Sequence, residues 1–123
     1  MILVVDDHPD TVAFLCRFLT RKGFETACAS NGAEALELIK STTPQLIILD
    51  LQMPVMDGLQ LLEQMSGDDH LRTIPVIMYS AGHEKSQMDK ALRLGAKAFM
   101  VKGAIGLSDL MAKIGNYVNP RAE

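Results

Sequence analysis

The sequence predicts one three-layer α/β/α domain, in which a parallel sheet lies between two layers of helices. Short, nearly continuous apolar runs alternate along the chain with longer segments of helical periodicity. Such runs are typical of strands in parallel sheets, because helices cover both faces of those sheets. The length of 123 residues and the apolar content of 48% suit one compact core of this kind.

Five strands are predicted from the apolar runs. Four of them are almost entirely apolar: Ile2–Val5, Leu46–Leu49, Val76–Tyr79 and Ala98–Val101. The run Phe24–Ala29 mixes polar with apolar residues, so this strand is predicted to lie at an edge of the sheet.

The first predicted helix is amphipathic. Its apolar residues Val12, Leu15, Cys16 and Leu19 are spaced i, i+3, i+4 and i+7, which forms one buried stripe. Pro9 is expected near the first turn, where a missing N–H costs nothing.

The other helices are recognised by their periodicity and by the residues at their ends. They are predicted over Ala33–Lys40, Leu59–Met65, Glu84–Leu94 and Leu107–Val118. Asn31 with Glu34, and Asp57 with Gln60, have the spacing of capping boxes. Gly95 is a natural C-terminal glycine for the fourth helix.

The alternation of five strands with five helices predicts βαβ units with right-handed crossovers. The expected strand order is 2-1-3-4-5, as in flavodoxin-like folds. No internal repeat, low-complexity tract or linker is visible. One domain is therefore expected over residues 1–119, and Asn119-Pro120 ends the last helix and leaves residues 120–123 as a tail.

Composition and charge argue against several classes of function. The net charge of −3 does not suit a general nucleic-acid or membrane surface. No apolar run approaches the roughly 20 residues of a membrane-spanning helix, and the N-terminus lacks a signal-peptide pattern. Cys16 and Cys28 have no metal-type spacing and lie among apolar residues, so we expect reduced, buried thiols in a cytoplasmic protein.

Charged or reactive residues follow four of the five predicted strands. Asp6 and Asp7 follow the first strand, Asp50 the third, Ser80 the fourth and Lys102 the fifth. Since the carboxyl ends of parallel strands meet at one edge, where ligands bind, the carboxylates are expected to crowd together. Lys102 is two strands from Asp50, roughly 10 Å away, and can reach inward with its long side chain.

Taken singly, these residues have plainer explanations. Asp7 can cap the first helix, Ser80 can be a turn residue and Lys102 can be a solvated charge. Together, five such residues at four strand ends are difficult to explain by capping.

Clustered carboxylates repel one another. Two unit charges 4 Å apart cost about 1 kcal/mol in water and about 4 kcal/mol at an effective dielectric constant of 20. A hard divalent cation removes this cost, and Mg²⁺ suits a site of carboxylates, waters and a phosphoryl oxygen. A carboxylate nucleophile, a metal ion, a hydroxyl donor and a cation are the parts that phosphoryl transfer requires.

At these residues the chain resembles the receiver domains of bacterial two-component response regulators, and it does so from end to end. The resemblance rests on Asp6-Asp7, on Asp50 followed by LQMPVMDG (residues 51–58), on Ser80-Ala81, and on Lys102 after Phe99-Met100-Val101. It implies a signalling domain that catalyses only its own phosphorylation and dephosphorylation.

The resemblance assigns a metal site and a phosphoacceptor. Asp50 would attack the phosphorus of a phosphohistidine in a kinase. Asp7, Asp50 and the backbone carbonyl of Gln52 would ligate Mg²⁺, and Asp6 would act mostly through water.

The resemblance also assigns a phosphoryl-binding pair and a switch. Ser80 would donate a hydrogen bond to a phosphoryl oxygen, and Lys102 would pair with the phosphoryl group, or with Asp50 before transfer. Phe99 matches the switch aromatic, which turns inward when the Ser80 hydroxyl moves; an ordinary core position on the fifth strand is the alternative. Such a switch is a local charge event that biases a two-state element.

One residue departs from the family pattern. Gly103 follows Lys102 where the family usually has a proline after a cis bond. Because a cis bond without proline costs roughly 2.5–4 kcal/mol, we predict a trans bond, with Lys102 still directed at Asp50. His8, His70 and His83 are interpreted as surface residues that form no ligand set.

The implied partners are a sensor histidine kinase or phosphotransfer protein, and a downstream effector protein or covalently linked output domain. The resemblance also allows a phosphorylation-dependent dimer, and it implies no direct contact with nucleic acid or membrane. Whether the domain acts alone or within a larger regulator is open.

Three other functions fit the sequence less well. A stand-alone phosphohydrolase with an aspartate nucleophile needs an acid at position 52, where this chain has Gln52. A flavodoxin-type or dinucleotide binder needs a glycine-rich or hydroxyl-rich loop after the first strand, where this chain has acids. A degenerate receiver that serves only for docking would not need all five site residues.

Overall fold

The computed structural model describes residues 1–82 and 84–119 and contains five strands and five helices. The strands are β1 (Ile2–Val5), β2 (Thr26–Ala29), β3 (Leu46–Leu49), β4 (Val76–Ser80) and β5 (Ala98–Val101). The helices are α1 (Pro9–Arg21), α2 (Gly32–Ser41), α3 (Gly58–Ser66), α4 (Lys85–Arg93) and α5 (Leu107–Gly115), and a short 3₁₀ helix covers Leu71–Thr73. Strands and helices alternate, as the sequence predicts.

The sheet is parallel, and its strand order is β2-β1-β3-β4-β5. The predicted flavodoxin-like architecture is therefore confirmed. In the pairing register, Val5 at the end of β1 lies between Ala29 of β2 and Leu49 of β3. The carboxyl ends of these strands are consequently level, and the residues that follow them meet at one edge.

Alternate residues of each strand pack on opposite helical layers. Leu3 and Val5 pack with residues of α2, α3 and α4, whereas Ile2 and Val4 pack with residues of α1 and α5. All four of these β1 side chains are fully buried. Coverage on both faces explains why the strand sequences are continuous apolar runs rather than alternating ones.

Several ends of elements differ from the predictions. β2 begins at Thr26 rather than Phe24, although Phe24 is buried just before the strand. α5 ends at Gly115, three residues before the predicted end, and Val118 still packs in the core. Differences of this kind are common at the ends of elements, because terminal turns fray.

The predicted helix ends are largely confirmed. Asp57 and Gln60 form a reciprocal capping box, and Gly95 follows α4 with a φ of +113°. Asn31 caps α2 by accepting a hydrogen bond from the Glu34 N–H, but the Glu34 carboxylate accepts from the N–H of Ser30 instead of Asn31. This pair is therefore a cap without the reciprocal bond of a capping box.

The prediction of two buried cysteines is wrong for Cys28. Cys16 is partly buried on α1, but Cys28 is exposed on β2. β2 is an edge strand, and a surface cavity beside α1 leaves Cys28 accessible. Within residues 1–82 and 84–119, no helix is long and apolar enough to cross a membrane. His83 and the predicted tail at residues 120–123 lie outside the described residues.

Candidate functional site

The backbone hydrogen bonds of the sheet continue for one residue past the strand ends. The Asp50 N–H donates to the Val5 carbonyl at 2.9 Å, and the Asp6 N–H donates to the Ala29 carbonyl at 3.1 Å. In the same way, the Lys102 N–H donates to the Ser80 carbonyl at 2.9 Å. The site residues are thus held by the ladder that defines the rigid core, which favours precise positioning.

The structure brings the predicted carboxylates together and adds His8 to them. One ligand atom from each of Asp6, Asp7, His8 and Asp50 lies within 4.8 Å of the others. His8 Nδ1 lies 2.9 Å from Asp6 Oδ1, and the His8 N–H also donates to that oxygen. The His8 side chain is 64% exposed, as predicted for a surface residue, and its ring lies against the acidic cluster, a contact that the sequence analysis did not assign to it.

The acidic cluster raises the pKa of the His8 ring above its ordinary value. The hydrogen bond to Asp6 raises this pKa most, followed by the negative charges of Asp6 and Asp7. His8 directly follows the two acids in sequence, and this adjacency was the signal available before the structure.

Lys102 is paired most closely with Asp6 and also lies within ion-pair distance of Asp50. Its ammonium nitrogen lies 2.6 Å from Asp6 Oδ2 and 4.0 Å from Asp50 Oδ2, so it is close enough to both carboxylates to act on either. Lys102 therefore lies within ion-pair distance of Asp50, as the resemblance implies, although Asp6 is the nearer partner. The Asp6 and Asp50 side chains are only 3% and 4% exposed, so both buried carboxylates require a counter-charge.

The bond between Lys102 and Gly103 is trans, as predicted. No cis peptide bond is present among the described residues, and Gly103 has a φ of +82°. This conformation is readily available to glycine and costs other residues roughly 1–2 kcal/mol. The chain thus turns through the glycine while Lys102 remains directed into the site.

Asp50 is a buried carboxyl group. Burial raises its pKa, and the nearby charge of Asp6 raises it further. Lys102, the Ser80 hydroxyl and the Leu51 N–H oppose this rise. The Leu51 N–H donates to Asp50 Oδ1 at 2.8 Å, which leaves Oδ2 as the oxygen nearer to Lys102 and His8.

Asp7 does not cap α1, which begins after His8 without a side-chain cap. Its Oδ1 atom is buried and makes no hydrogen bond within the described part of the chain. His8 Nδ1 lies 3.2 Å from this oxygen, and a buried carboxylate oxygen without a hydrogen bond is costly. Because three of the four clustered ligand groups are carboxylates, which hard cations prefer, a bound divalent cation is a suitable further partner, and the cluster can hold one.

These residues surround a cavity of about 370 Å³. Its lining consists of Asp7, His8, Asp50, Gln52, Met53, Ser80, Ala81, Gly82 and Lys102. The Ser80 side chain is buried, and its Oγ accepts a 3.3 Å hydrogen bond from the Gly82 N–H. A small ligand in this cavity would meet a carboxylate, a hydroxyl and an ammonium group together.

Comparison with known proteins decides the family. A sequence profile for the response regulator receiver domain matches residues 2–115. The chain belongs to this family. It is a receiver domain of the two-component response regulator type, and receiver domains are signalling domains.

Individual relatives agree with the family match. The receiver domain is 38% identical over 101 residues to the regulatory protein AtoC of Escherichia coli, which covers 82% of this chain and 22% of AtoC. It is 37% identical over 113 residues to the transcriptional regulatory protein PrrA of Mycobacterium tuberculosis, which covers 92% of this chain and 47% of PrrA. The chain therefore spans less than half the length of these two relatives.

A solved structure shows the same fold. The signal receiver domain of a signal transduction histidine kinase from Syntrophus aciditrophicus superimposes with a TM-score of 0.86 and 34% identity. The match covers 94% of this chain and 87% of that chain.

The loop of the receiver domain after Asp50 is fastened by two close backbone approaches. The Gly58 N–H donates to the Leu51 carbonyl at 2.9 Å, and the Gly32 N–H donates to the Met56 carbonyl at 2.8 Å. A Cβ atom on Gly58 would lie 2.3 Å from the Asp50 carbonyl oxygen. These two glycines therefore let α2 and α3 pack directly on the loop that carries Asp50, a role that sequence analysis did not assign to them.

Proposed function

We propose that this receiver domain accepts a phosphoryl group on Asp50 in a Mg²⁺-dependent reaction. The observation that carries the proposal is the surroundings of Asp50. Its buried carboxylate lies in a cavity with the ammonium of Lys102, the hydroxyl of Ser80 and the carboxylate of Asp7, one oxygen of which is buried without a hydrogen bond. This set supplies a nucleophile together with groups that neutralise developing negative charge.

In the proposed step, an Asp50 carboxylate oxygen attacks the phosphorus of a phosphohistidine. The new O–P bond forms as the P–N bond breaks, and the imidazole leaves. Lys102 is 4.0 Å from Asp50 Oδ2 and can exchange its partner Asp6 for a phosphoryl oxygen. The Ser80 hydroxyl can donate to another phosphoryl oxygen.

The residues that would hold Mg²⁺ are Asp7, Asp50 and the backbone carbonyl of Gln52, with Asp6 acting mostly through water. Gln52 lines the same cavity as Asp7 and Asp50. The bound ion would screen the repulsion between carboxylates and phosphoryl oxygens. Its oxygen-rich donor set supports Mg²⁺ over softer metals.

The direct test of the phosphoacceptor is chemical labelling. Acetyl phosphate with Mg²⁺ should add one phosphoryl group to the chain, and Asp50→Asn should abolish this labelling, because an amide oxygen is a poor nucleophile. Asp69→Asn is the matched control, since the Asp69 side chain is 95% exposed and lies outside the cluster. Intact-mass measurement of both variants decides, and undiminished labelling of Asp50→Asn would contradict the assignment.

The metal assignment has its own test. Asp7→Asn should lose the rise in melting temperature that Mg²⁺ gives the unchanged chain, while the apo protein remains folded because one repelling charge has been removed. Thermal melts with and without Mg²⁺ measure this. A variant that keeps the full Mg²⁺-dependent rise would show that Asp7 is not a ligand.

We also propose that phosphorylation couples Ser80 to Phe99. In the register of β4 and β5, Phe99 pairs with Met78, two residues before Ser80, so both side chains lie on the same face of the sheet. Movement of the Ser80 hydroxyl toward a phosphoryl group would open space for Phe99. Chemical shifts near Phe99 and α4 should change together on phosphorylation or fluoroberyllate binding, and changes confined to the Asp50 loop would contradict the coupling.

The proposed partners follow from this reaction. A histidine kinase or phosphotransfer protein would supply the phosphoryl group in the cytoplasm, and an effector protein or linked output domain would read the changed surface, with dimerisation as a further outcome. Names such as transcriptional regulatory protein among the relatives support the linked arrangement. In this proposal the chain catalyses only its own phosphorylation and dephosphorylation, and its domain extends over residues 1–119.

A further inference from the structure

The chain's two cysteines lie on adjacent elements, Cys16 on α1 and Cys28 on β2. At the neighbouring position, Thr20 Oγ1 of α1 and Thr26 Oγ1 of β2 are 3.4 Å apart. α1 connects two parallel strands, so it runs antiparallel to β2. Cys16 lies one helical turn before Thr20 on α1, and Cys28 lies two residues after Thr26 on β2. Because the two elements are antiparallel and both steps cover about 6 Å in the same direction, the cysteines occupy neighbouring positions.

The two thiols also share one face of the sheet. In β2, Ala27 and Ala29 pack in the layer of α2, α3 and α4, so Cys28 points to the opposite layer, which contains α1. Cys16 packs in that same layer. Burial raises the pKa of the Cys16 thiol most, and the adjacent Cys28 thiol raises it further, against a hydrogen bond from Thr26 that lowers it.

The pair is open to small reagents on one side. Cys28 is exposed and lines a surface cavity of about 350 Å³ beside Val12 and Ser30, whereas Cys16 is partly buried behind it. Both cysteines are free thiols in this structure. The arrangement therefore has an accessible attacking thiol and a resolving thiol held next to it, which are the parts of a dithiol exchange site.

We propose that Cys16 and Cys28 form a reversible disulfide that fastens α1 to β2, by exchange with a low-molecular-weight disulfide such as glutathione disulfide. The Cys28 thiolate attacks one glutathione sulfur, forms a mixed disulfide and expels a glutathione thiolate. The Cys16 thiolate then attacks Cys28 Sγ, which forms the intramolecular S–S bond and expels the second glutathione. The thiol pair loses two electrons and two protons, and one glutathione disulfide becomes two glutathione thiols.

The test uses the full chain and glutathione disulfide, followed by alkylation of remaining thiols and trypsin digestion without reductant. Cleavage after Arg17, Lys22 and Lys40 separates Cys16, in residues 1–17, from Cys28, in residues 23–40. We expect these two peptides to be linked, in a monomer that is lighter by two hydrogen atoms and returns to its original mass with dithiothreitol. Cys16→Ser and Cys28→Ser should each prevent the link.

Two further measurements test whether the disulfide depends on the folded structure and whether it is independent of Asp50. The native chain should become oxidised at a glutathione disulfide to glutathione ratio roughly tenfold lower than the urea-unfolded chain, because folding holds the thiols together. Asp50→Asn should oxidise like the unchanged chain, so this inference stands or falls independently of the phosphoacceptor assignment. A stable glutathione adduct on Cys28, a Cys28-linked dimer, unreacted thiols, or equal ratios for native and unfolded chains would each overturn the proposal.

Discussion

Replacing Gly58 by alanine should disturb the Asp50 loop even though Gly58 carries no functional group. Gly58 is the first residue of α3, and its N–H donates to the Leu51 carbonyl. A Cβ atom at this position would lie 2.3 Å from the Asp50 carbonyl oxygen and 3.1 Å from Leu51 Cα. Both contacts are with backbone, so no flexible side chain can move aside.

The size of the effect follows from the distance. Non-bonded heavy atoms are most favourable at roughly 3.5–4.0 Å, so the Asp50 backbone or the start of α3 must shift by about 1 Å. Overpacking of this kind typically costs 1–3 kcal/mol, which outweighs the roughly 0.5–1 kcal/mol that alanine gains over glycine within a helix. A displacement of about 1 Å at a reacting group can lower its rate about 100-fold.

The assay compares Gly58→Ala with Gly67→Ala. Gly67 follows the same helix, has a φ of −84°, and would place its Cβ no closer than 3.8 Å to other atoms. Urea unfolding measures the free energy of unfolding, and the initial rate of labelling by acetyl phosphate with saturating Mg²⁺ measures the site. We expect Gly58→Ala to lose stability and to label roughly 10- to 100-fold more slowly, and Gly67→Ala to change little.

Urea unfolding tests whether the contact of Gly58 constrains the fold, and the labelling rate tests whether it positions the Asp50 carboxylate. If Gly58→Ala unfolds at the same urea concentration as Gly67→Ala, the close approach of α3 to Asp50 does not constrain the fold. If it is destabilised but labels at the rate of the unchanged chain, the loop has relaxed without moving the carboxylate. Either result would refute the link between Gly58 and the geometry of Asp50.

Three other predictions concern a helix cap, a glycine with a positive φ and the pKa of one carboxyl group. Asp57→Ala removes the capping box of α3 and should lower the free energy of unfolding by about 1 kcal/mol in a urea titration. Gly103→Ala places a side chain at a φ of +82° and should cost about 1 kcal/mol, whereas Gly115→Ala, also in open space but with negative φ, should be neutral or stabilising; equal effects would argue against backbone strain. Hydrogen bonds from the N–H groups of residues 71 and 70 lower the pKa of Asp68 below its ordinary value, so its stabilising contribution is complete above that value and is lost as pH falls through the folded-state pKa. Asp68→Asn should therefore flatten this part of the stability–pH profile, and an unchanged profile would contradict the assignment.

The strands and helices could be predicted from the sequence, because apolar runs and helical periodicity are both local patterns. Each predicted run became a strand of the sheet, and each amphipathic segment became a helix whose stripe faces the sheet. The ends were less predictable. α5 ends at Gly115 although its apolar pattern continues to Val118, which packs in the same core and still donates its N–H to the Ile114 carbonyl at 3.0 Å. Terminal turns commonly fray in this way, so the apolar pattern does not fix the last helical residue.

The sequence predicted which residues meet in the candidate site, but not which of them pair with one another. That Asp6, Asp7, Asp50, Ser80 and Lys102 meet at one edge follows from a parallel sheet, since all strands end on the same side. The distances from the Lys102 ammonium to Asp6 and Asp50, 2.6 Å and 4.0 Å, depend on the path of the chain through Gly103, which the strand pattern does not encode.

By itself, then, the sequence determined the alternation of elements, the strand order expected for it, and the residues at the carboxyl edge, because these depend on short-range periodicity and on general rules of chain connection. The tertiary structure decided the contacts between residues distant along the chain. It placed Gly58 of α3 against the Asp50 carbonyl and set the Lys102 ammonium nearest to Asp6. It also brought Cys16 near Cys28. These contacts depend on how helices are positioned over the sheet to within about 1 Å, which follows from close packing of the whole core and not from any local segment.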